Sequence, residues 1–135
     1  MEKLKKRHET AIKTLNTLEI AIKKVSDPKN IENYDSFRDS LVQRFEYSID
    51  TFWKLIKIYL QEKHKIVTAA SPTAIIRDAF TAAIVTKSES DILIECVKDR
   101  NLTSHTYNEE LAEEIVEKIP DYYDLMKKIV NRIEL

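Results

Sequence analysis

The sequence predicts an all-α fold, an antiparallel up-and-down four-helix bundle with an additional short helix. Three observations carry this: the chain contains no glycine, it holds only three prolines, and its apolar residues recur by threes and fours. Hairpins, bulges and tight sheet turns depend on glycine for positive φ, so its absence argues against an all-β or doubly wound α/β chain. Hydrophobic residues make up 43% of the sequence and charged residues 33%, the balance of amphipathic helices around one core. Residues 1–135 fit a single domain large enough to bury that core.

The elements follow in order. Leu4, Ala11, Leu15, Leu18, Ile22 and Val25 form one seam on a first helix from about Glu2 to Val25, and Ser26–Asp27–Pro28–Lys29–Asn30 breaks it. The second helix runs from about Tyr34 to Lys63. It carries one stripe through Phe37, Leu41, Phe45, Phe52, Leu55 and Tyr59. An adjacent stripe holds Val42, Ile49, Trp53, Ile56 and Leu60. Two apolar faces suggest more than one neighbour, with a subunit interface among them. After a polar loop at 64–70, Ser71–Pro72 reads as an N-cap with proline at the first helical position. The short third helix carries Ile75, Ile76, Ala79, Phe80 and Ile84. Ser88 with Asp91 is expected to cap the fourth, which carries Leu93, Cys96 and Val97. Thr106 or Asn108 starts the last, through Ile115, Ile119, Leu125, Ile129 and Ile133, with a kink or break expected at Pro120.

Composition also limits the chemistry. Phosphate-cradling loops of the P-loop or dinucleotide type need glycine for close backbone approach, so an NTPase or Rossmann enzyme is excluded. Formal net charge is −1, from 22 basic and 23 acidic residues, which gives no global field toward nucleic acid or membrane. The one basic cluster, Lys3, Lys5, Lys6 and Arg7, reads as a solvated helix face rather than a binding arm. Cys96 is the single cysteine and reads as core filler, while His8 and His64 read as surface. No His-Glu-x-x-His motif, Cys/His cluster or Asp-x-Asp pair is present, so neither a zinc site nor a two-metal nucleotidyltransferase centre is expected, and no cofactor. The amino terminus is too charged for a signal peptide and no apolar run reaches membrane-spanning length, so a cytoplasmic location is expected.

The densest run of reactive side chains is Asp99–Arg100–Asn101–Leu102–Thr103–Ser104–His105–Thr106–Tyr107–Asn108. Asn101 and His105, four apart, share a helix face, whereas Arg100 and His105, five apart, do not. Those two could converge if the helix ends or loosens near Ser104, or if a second subunit completes the site. Such a set could cleave an RNA phosphodiester without metal. Histidine titrates near neutrality and can move the proton of the 2′-hydroxyl or of the leaving oxygen. Arginine can hold the phosphate and stabilise its gathering charge, and Asn101 can orient either group. The alternative is a polar helix end, with His105 satisfied by a backbone carbonyl and Arg100 by a nearby carboxylate such as Asp99 or Glu109. Arg44 and Glu46 stand among apolar neighbours on the second helix, either lining a groove near this segment or forming an ion pair. Trp53 reads as a core or dimer contact.

Several of these residues together resemble one family. Gln43–Arg44–Phe45–Glu46, Trp53–Lys54, Ser71–Pro72, Ile76–Arg77, Ala79–Phe80, Arg100–Asn101 and Thr103–Ser104–His105–Thr106–Tyr107 are similar to the nucleotidyltransferase substrate-binding family, a branch of the HEPN superfamily of small helical bundles. The resemblance covers roughly Phe37 to the carboxyl terminus. It implies a homodimer with the motifs of two subunits facing a shared groove, and a separately encoded minimal nucleotidyltransferase as partner. In toxin-like branches it implies a metal-independent ribonuclease, silenced when the partner transfers nucleotide groups to a tyrosine. By position, Arg100 and His105 would be the catalytic pair, Asn101 the supporting group and Tyr107 the acceptor. Arg44, Glu46 and Ser104, read from the residues themselves, are the candidate binding residues for RNA or nucleotide. A non-catalytic dimer that presents nucleotide or substrate to the partner is the alternative. The chain departs from the family where Ala82 and Ala83 stand in place of glycine after the third helix, and where Asp91 and Ile92 stand in place of tryptophan.

Overall fold

The structure, a computed structural model, describes residues 2–135. It contains α1 (Glu2–Ser26), α2 (Tyr34–His64), α3 (Pro72–Thr81), α4 (Lys87–His105) and α5 (Glu109–Arg132). A 3-10 turn at Pro28–Asn33 joins the first two, where the Asp27 carboxylate accepts the Lys29 N–H at 2.9 Å. No helix among the described residues is long and apolar enough to cross a membrane.

Contacts between helix ends set the topology. His8 of α1 meets the Val130 carbonyl of α5, and Tyr123 of α5 donates to Glu19 of α1, so these helices are antiparallel. Glu46 and Asp50 of α2 meet Thr103 and Arg100 of α4, again antiparallel. Glu89 and Asp99 of α4 meet Arg132 and Tyr122 of α5, likewise antiparallel. Tyr34 with Glu113, and Phe45 with Tyr122, show α2 running parallel to α5. The four long helices therefore alternate up and down, and α3 is the short element in the crossover between α2 and α4.

Helix α2, with 31 residues and a length of about 46 Å, is the hub. Both of its apolar stripes are buried: Leu41, Phe45, Phe52 and Leu55 on one, Val42, Ile49, Ile56 and Leu60 on the other. It packs against every other helix of the chain, so both stripes are accounted for without a second subunit. Phe37, Trp53 and Tyr59 stay half-buried at the margins. His8 lies half-buried against α5 rather than at the surface, and Cys96 is fully buried, as a core filler should be.

The helix ends correct three details. Ser71 caps α3 as the sequence predicts, accepting from the Ala74 N–H. The helix stops at Thr81, however, and Ala83 turns left-handed (φ 62°), a conformation that favours glycine. A left-handed alanine costs about 1–2 kcal/mol. The turn lets the Ile84 N–H reach the Ala79 carbonyl at 2.9 Å and buries Ile84 and Val85. At α4 the cap is Thr86 with Glu89, not Ser88 with Asp91: the Thr86 hydroxyl accepts the Glu89 N–H at 3.1 Å, and Glu89 accepts the Thr86 N–H at 2.8 Å. Finally, α5 runs through Pro120 without a break. Pro120 is exposed, and Ile119, Tyr122, Tyr123 and Met126 on either side are buried, so packing holds the helix across the missing N–H.

Glu89 ties the start of α4 to the end of α5, accepting two Arg132 N–H groups at 2.9 Å each. Those bonds, against burial and with help from the Thr86 N–H, pull its carboxyl down to about 2. Its stabilising effect is therefore present above the ordinary carboxylate pKa and is lost as pH falls toward that depressed value. Glu89→Gln is expected to cost on the order of 2–3 kcal/mol at pH 7. Urea unfolding checks this: the gap between wild type and variant should hold constant from pH 7 to about 5 and narrow as the pH falls further, through the ordinary carboxylate pKa toward the depressed value.

Candidate functional site

The reactive run lies at the carboxyl-terminal end of α4, where it crosses α2. The helix continues without loosening through His105, and the Thr106 N–H still reaches the Leu102 carbonyl at 2.9 Å. Arg100 and Thr103, three apart, turn toward α2. The Arg100 guanidinium donates to both Asp50 oxygens, at 3.3 and 3.2 Å, and to Glu46 at 3.1 Å. It also donates to the Ser104 hydroxyl, and Thr103 donates to Glu46 at 2.6 Å. Partial burial disfavours the charge on Arg100, but the Asp50 bonds and the charges of Asp50 and Glu46 outweigh this and raise its pKa above the ordinary value. One cation is thus held by two carboxylates, and the cluster carries a net charge near −1.

His105 and Asn101 sit elsewhere. Five residues of helix rotate His105 by about 140° from Arg100. Both His105 and Asn101 are exposed, on the shared face that their spacing predicts. The structure therefore unites Arg100 with Ser104, Thr103 and Glu46, and leaves His105 with Asn101 on an outer face. Arg100 is satisfied across the bundle rather than by Asp99 or Glu109. Asp99 accepts from Tyr122 at 2.6 Å, and Glu109 pairs with Arg38 at 3.6 Å. Arg44 is exposed beside a separate cavity between α1 and α2, lined with Phe37 and Lys24, and is not brought to the motif or to Glu46.

Tyr107 follows α4 in the turn before α5. Its hydroxyl donates to Asp39 of α2 at 2.6 Å. Burial first, then the bond to and charge of Asp39, push the phenol up to about 12, against the pull of Arg38. Arg38, a buried cation on α2, donates to Asp39 at 3.2 Å and to Glu113 of α5 at 3.3 Å. A cavity of about 260 Å³, lined by Asp39, Gln43, Glu46, Thr103 and Tyr107, joins the phenol to the arginine cluster. Sequence reasoning missed Arg38, Asp39 and Asp50. One signal was present: Asp39, Gln43, Glu46 and Asp50 recur by four, three and four, a polar stripe along one face of α2. Among the described residues no three His, Cys, Asp or Glu side chains gather as a metal site would require. Asp39→Asn is expected to bring the Tyr107 midpoint down from about 12 part of the way toward the ordinary value of ~10, the remainder being held by burial. NMR titration of ring-labelled tyrosine reads this directly.

Comparison with known proteins places this geometry in context. A crystal structure of a protein from Thermus thermophilus is 38% identical, over 90% of this chain and 97% of that one, with a TM-score of 0.79. The tri-AMPylated HEPN toxin of Shewanella oneidensis, in complex with MNT antitoxin, shares the fold at 16% identity, over 90% of this chain and 94% of that one, with a TM-score of 0.69. A toxin–antitoxin structure with AMP-PNP shares it at 16% identity, over 92% and 97%, with a TM-score of 0.70. A search of curated proteins finds no match. Residues 6–135 match the family described as nucleotidyltransferase substrate binding protein like, and the chain, on a scaffold shared with HEPN toxins, belongs to that family.

Proposed function

We propose that this chain is the helical, toxin-like partner subunit of a two-component module whose other half is a separately encoded minimal nucleotidyltransferase, with Tyr107 as nucleotidylation acceptor. The observation that carries the reading is the exposed Tyr107 phenol, with its oxygen 2.6 Å from the Asp39 carboxylate. Its raised pKa leaves it protonated near neutrality, so it needs a base at the moment of attack, and Asp39 stands where that base must be. The Tyr107 oxygen attacks the α-phosphorus of a nucleoside triphosphate held by the partner. The bond from that phosphorus to the bridging oxygen breaks, pyrophosphate leaves, and the phenol proton passes to Asp39. The AMPylated state of the Shewanella oneidensis toxin is the same chemical class of product.

The group so protected is the Arg100 site. In this reading Arg100 and His105 form a metal-independent endoribonuclease pair. The 2′-oxygen of RNA attacks the adjacent phosphorus and the 5′-oxygen departs, leaving a cyclic phosphate. His105 moves the proton, Arg100 steadies the phosphate charge, and Asn101 orients His105. Ser104 and Glu46 hold Arg100. Because the helix keeps the pair about 140° apart, a homodimer brings Arg100 of one subunit against His105 of the other. Tyr47 beside Glu46 and Leu102 beside Thr103 stay exposed, which supports such a contact. A nucleotide on Tyr107 would fill the cavity shared with Glu46 and Thr103 and close the site to RNA.

A second reading has its own observation. Glu46 and Asp50 occupy the Arg100 donors and place negative charge where a phosphate would sit, which favours a non-catalytic dimer that presents nucleotide or substrate to the partner. Intact-mass measurement tests the acceptor claim, after incubation with the partner nucleotidyltransferase, ATP and magnesium. Wild type should gain nucleotide units, Tyr107→Phe none, and Asp39→Asn should gain them at least tenfold more slowly. No gain on wild type, with the partner active on another acceptor, would overturn it.

A further inference from the structure

A cavity of about 610 Å³ lies away from the reactive run, between the start of α1 and the second half of α2. Lys3, Lys6 and Arg7 form one wall, Lys54 and Lys57 the other, and half-buried Trp53 the floor. No acidic side chain lines it among the described residues, and none of the five cations has a carboxylate partner there. In a chain of net charge −1, five such cations around one trough are a local concentration of positive charge. The Lys54 ammonium stands 5.8 Å over the Trp53 ring, so charge and π-surface coincide. From sequence, Lys3, Lys6 and Arg7 read as a solvated face. The antiparallel α1–α2 pairing brings them against lysines some fifty residues away.

We infer that this trough binds the backbone of single-stranded RNA and leads it toward Arg100. Asp50, Trp53, Lys54 and Lys57 lie at three- and four-residue steps on one face of α2, so that face leads from the trough to Asp50 of the Arg100 cluster, about 10 Å further along the helix. Cations spread over two helices with one aromatic between them suit a chain of phosphates and a stacked base. A site for a free nucleotide would instead need polar groups converging on one phosphate, base or ribose, and only Thr10 and Gln61 are neutral polar side chains in this lining. The inference rests on the ribonuclease reading for the identity of the polymer.

Trp53 is the only tryptophan, so its fluorescence reports the trough directly. The full chain is titrated with a ten-nucleotide 2′-O-methyl RNA, which binds as RNA does but offers no free 2′-hydroxyl for cleavage. Quenching should saturate and weaken by roughly tenfold or more between 50 and 200 mM salt. Lys54→Glu/Lys57→Glu and, separately, Lys6→Glu/Arg7→Glu should each lose at least tenfold in affinity, with unchanged helical content by circular dichroism. Absence of quenching, equal binding of ATP at matched phosphate concentration, or full affinity in both variants would overturn the inference. The two readings fail separately: binding without cleavage of ordinary RNA removes the ribonuclease, and cleavage with unchanged KM in both variants removes the trough.

Discussion

The contact between one guanidinium and two carboxylates, where α4 crosses α2, is the constraint on which the functional geometry depends. Arg100 reaches Glu46 and Asp50 because α2 runs straight past the end of α4, and because a four-residue step puts both carboxylates on one face. That contact orients the last turn of α4. It turns Thr103 inward and Ser104 alongside Arg100, and it leaves Asn101 and His105 facing out. Any role for Arg100 in holding a phosphate has to draw its donors away from these partners. The exchange is one of anion for anion, so the energetic cost falls on whatever displaces Glu46 and Asp50.

The same face of α2 organises the rest. Asp39 meets Tyr107 at one end, Glu46 and Asp50 meet Arg100 in the middle, and Trp53, Lys54 and Lys57 floor and wall the basic trough at the other. The face changes sign along its length, from acidic to basic over about 27 Å. An anionic polymer is drawn to the basic end, and a neutral phenol beside a carboxylate is presented at the acidic end. Buried Arg38 fixes that acidic end by bonding Asp39 and Glu113, which ties the Tyr107 position to the α2–α5 packing.

Helix count, order and most of the core were legible in the sequence, because periodicity reports which face is buried. Most of the α1 seam and of both α2 stripes is buried where the pattern puts it, and Ser71 caps α3. Details set by tertiary contact were less legible. Thr86 caps α4 in place of Ser88 because Glu89 also meets Arg132, some forty residues away. Pro120 breaks nothing because the residues around it are held in the core. The two stripes of α2 suggested more than one neighbour, and α1, α3, α4 and α5 all pack against that helix. At the site, the reactive run was visible as a local cluster, yet Asp39 and Asp50 stand 68 and 50 residues before the Tyr107 and Arg100 they meet. Arg44, close to Glu46 in sequence, faces away because two residues of helix are about 200° of rotation.

If Arg100 and His105 act together while one helix holds them apart, the active unit contains two chains. Subunit mixing tests that claim most directly. Arg100→Ala and His105→Ala proteins are assayed for RNA cleavage in chelator, each alone and after denaturation and refolding together in equal amounts. The account predicts that each variant alone is inactive and that the mixture regains roughly a quarter of wild-type activity, since random pairing leaves half the dimers with one intact composite site. A mixture as inactive as its components, beside a wild type that cleaves, would contradict the account and place both residues of the site in a single chain.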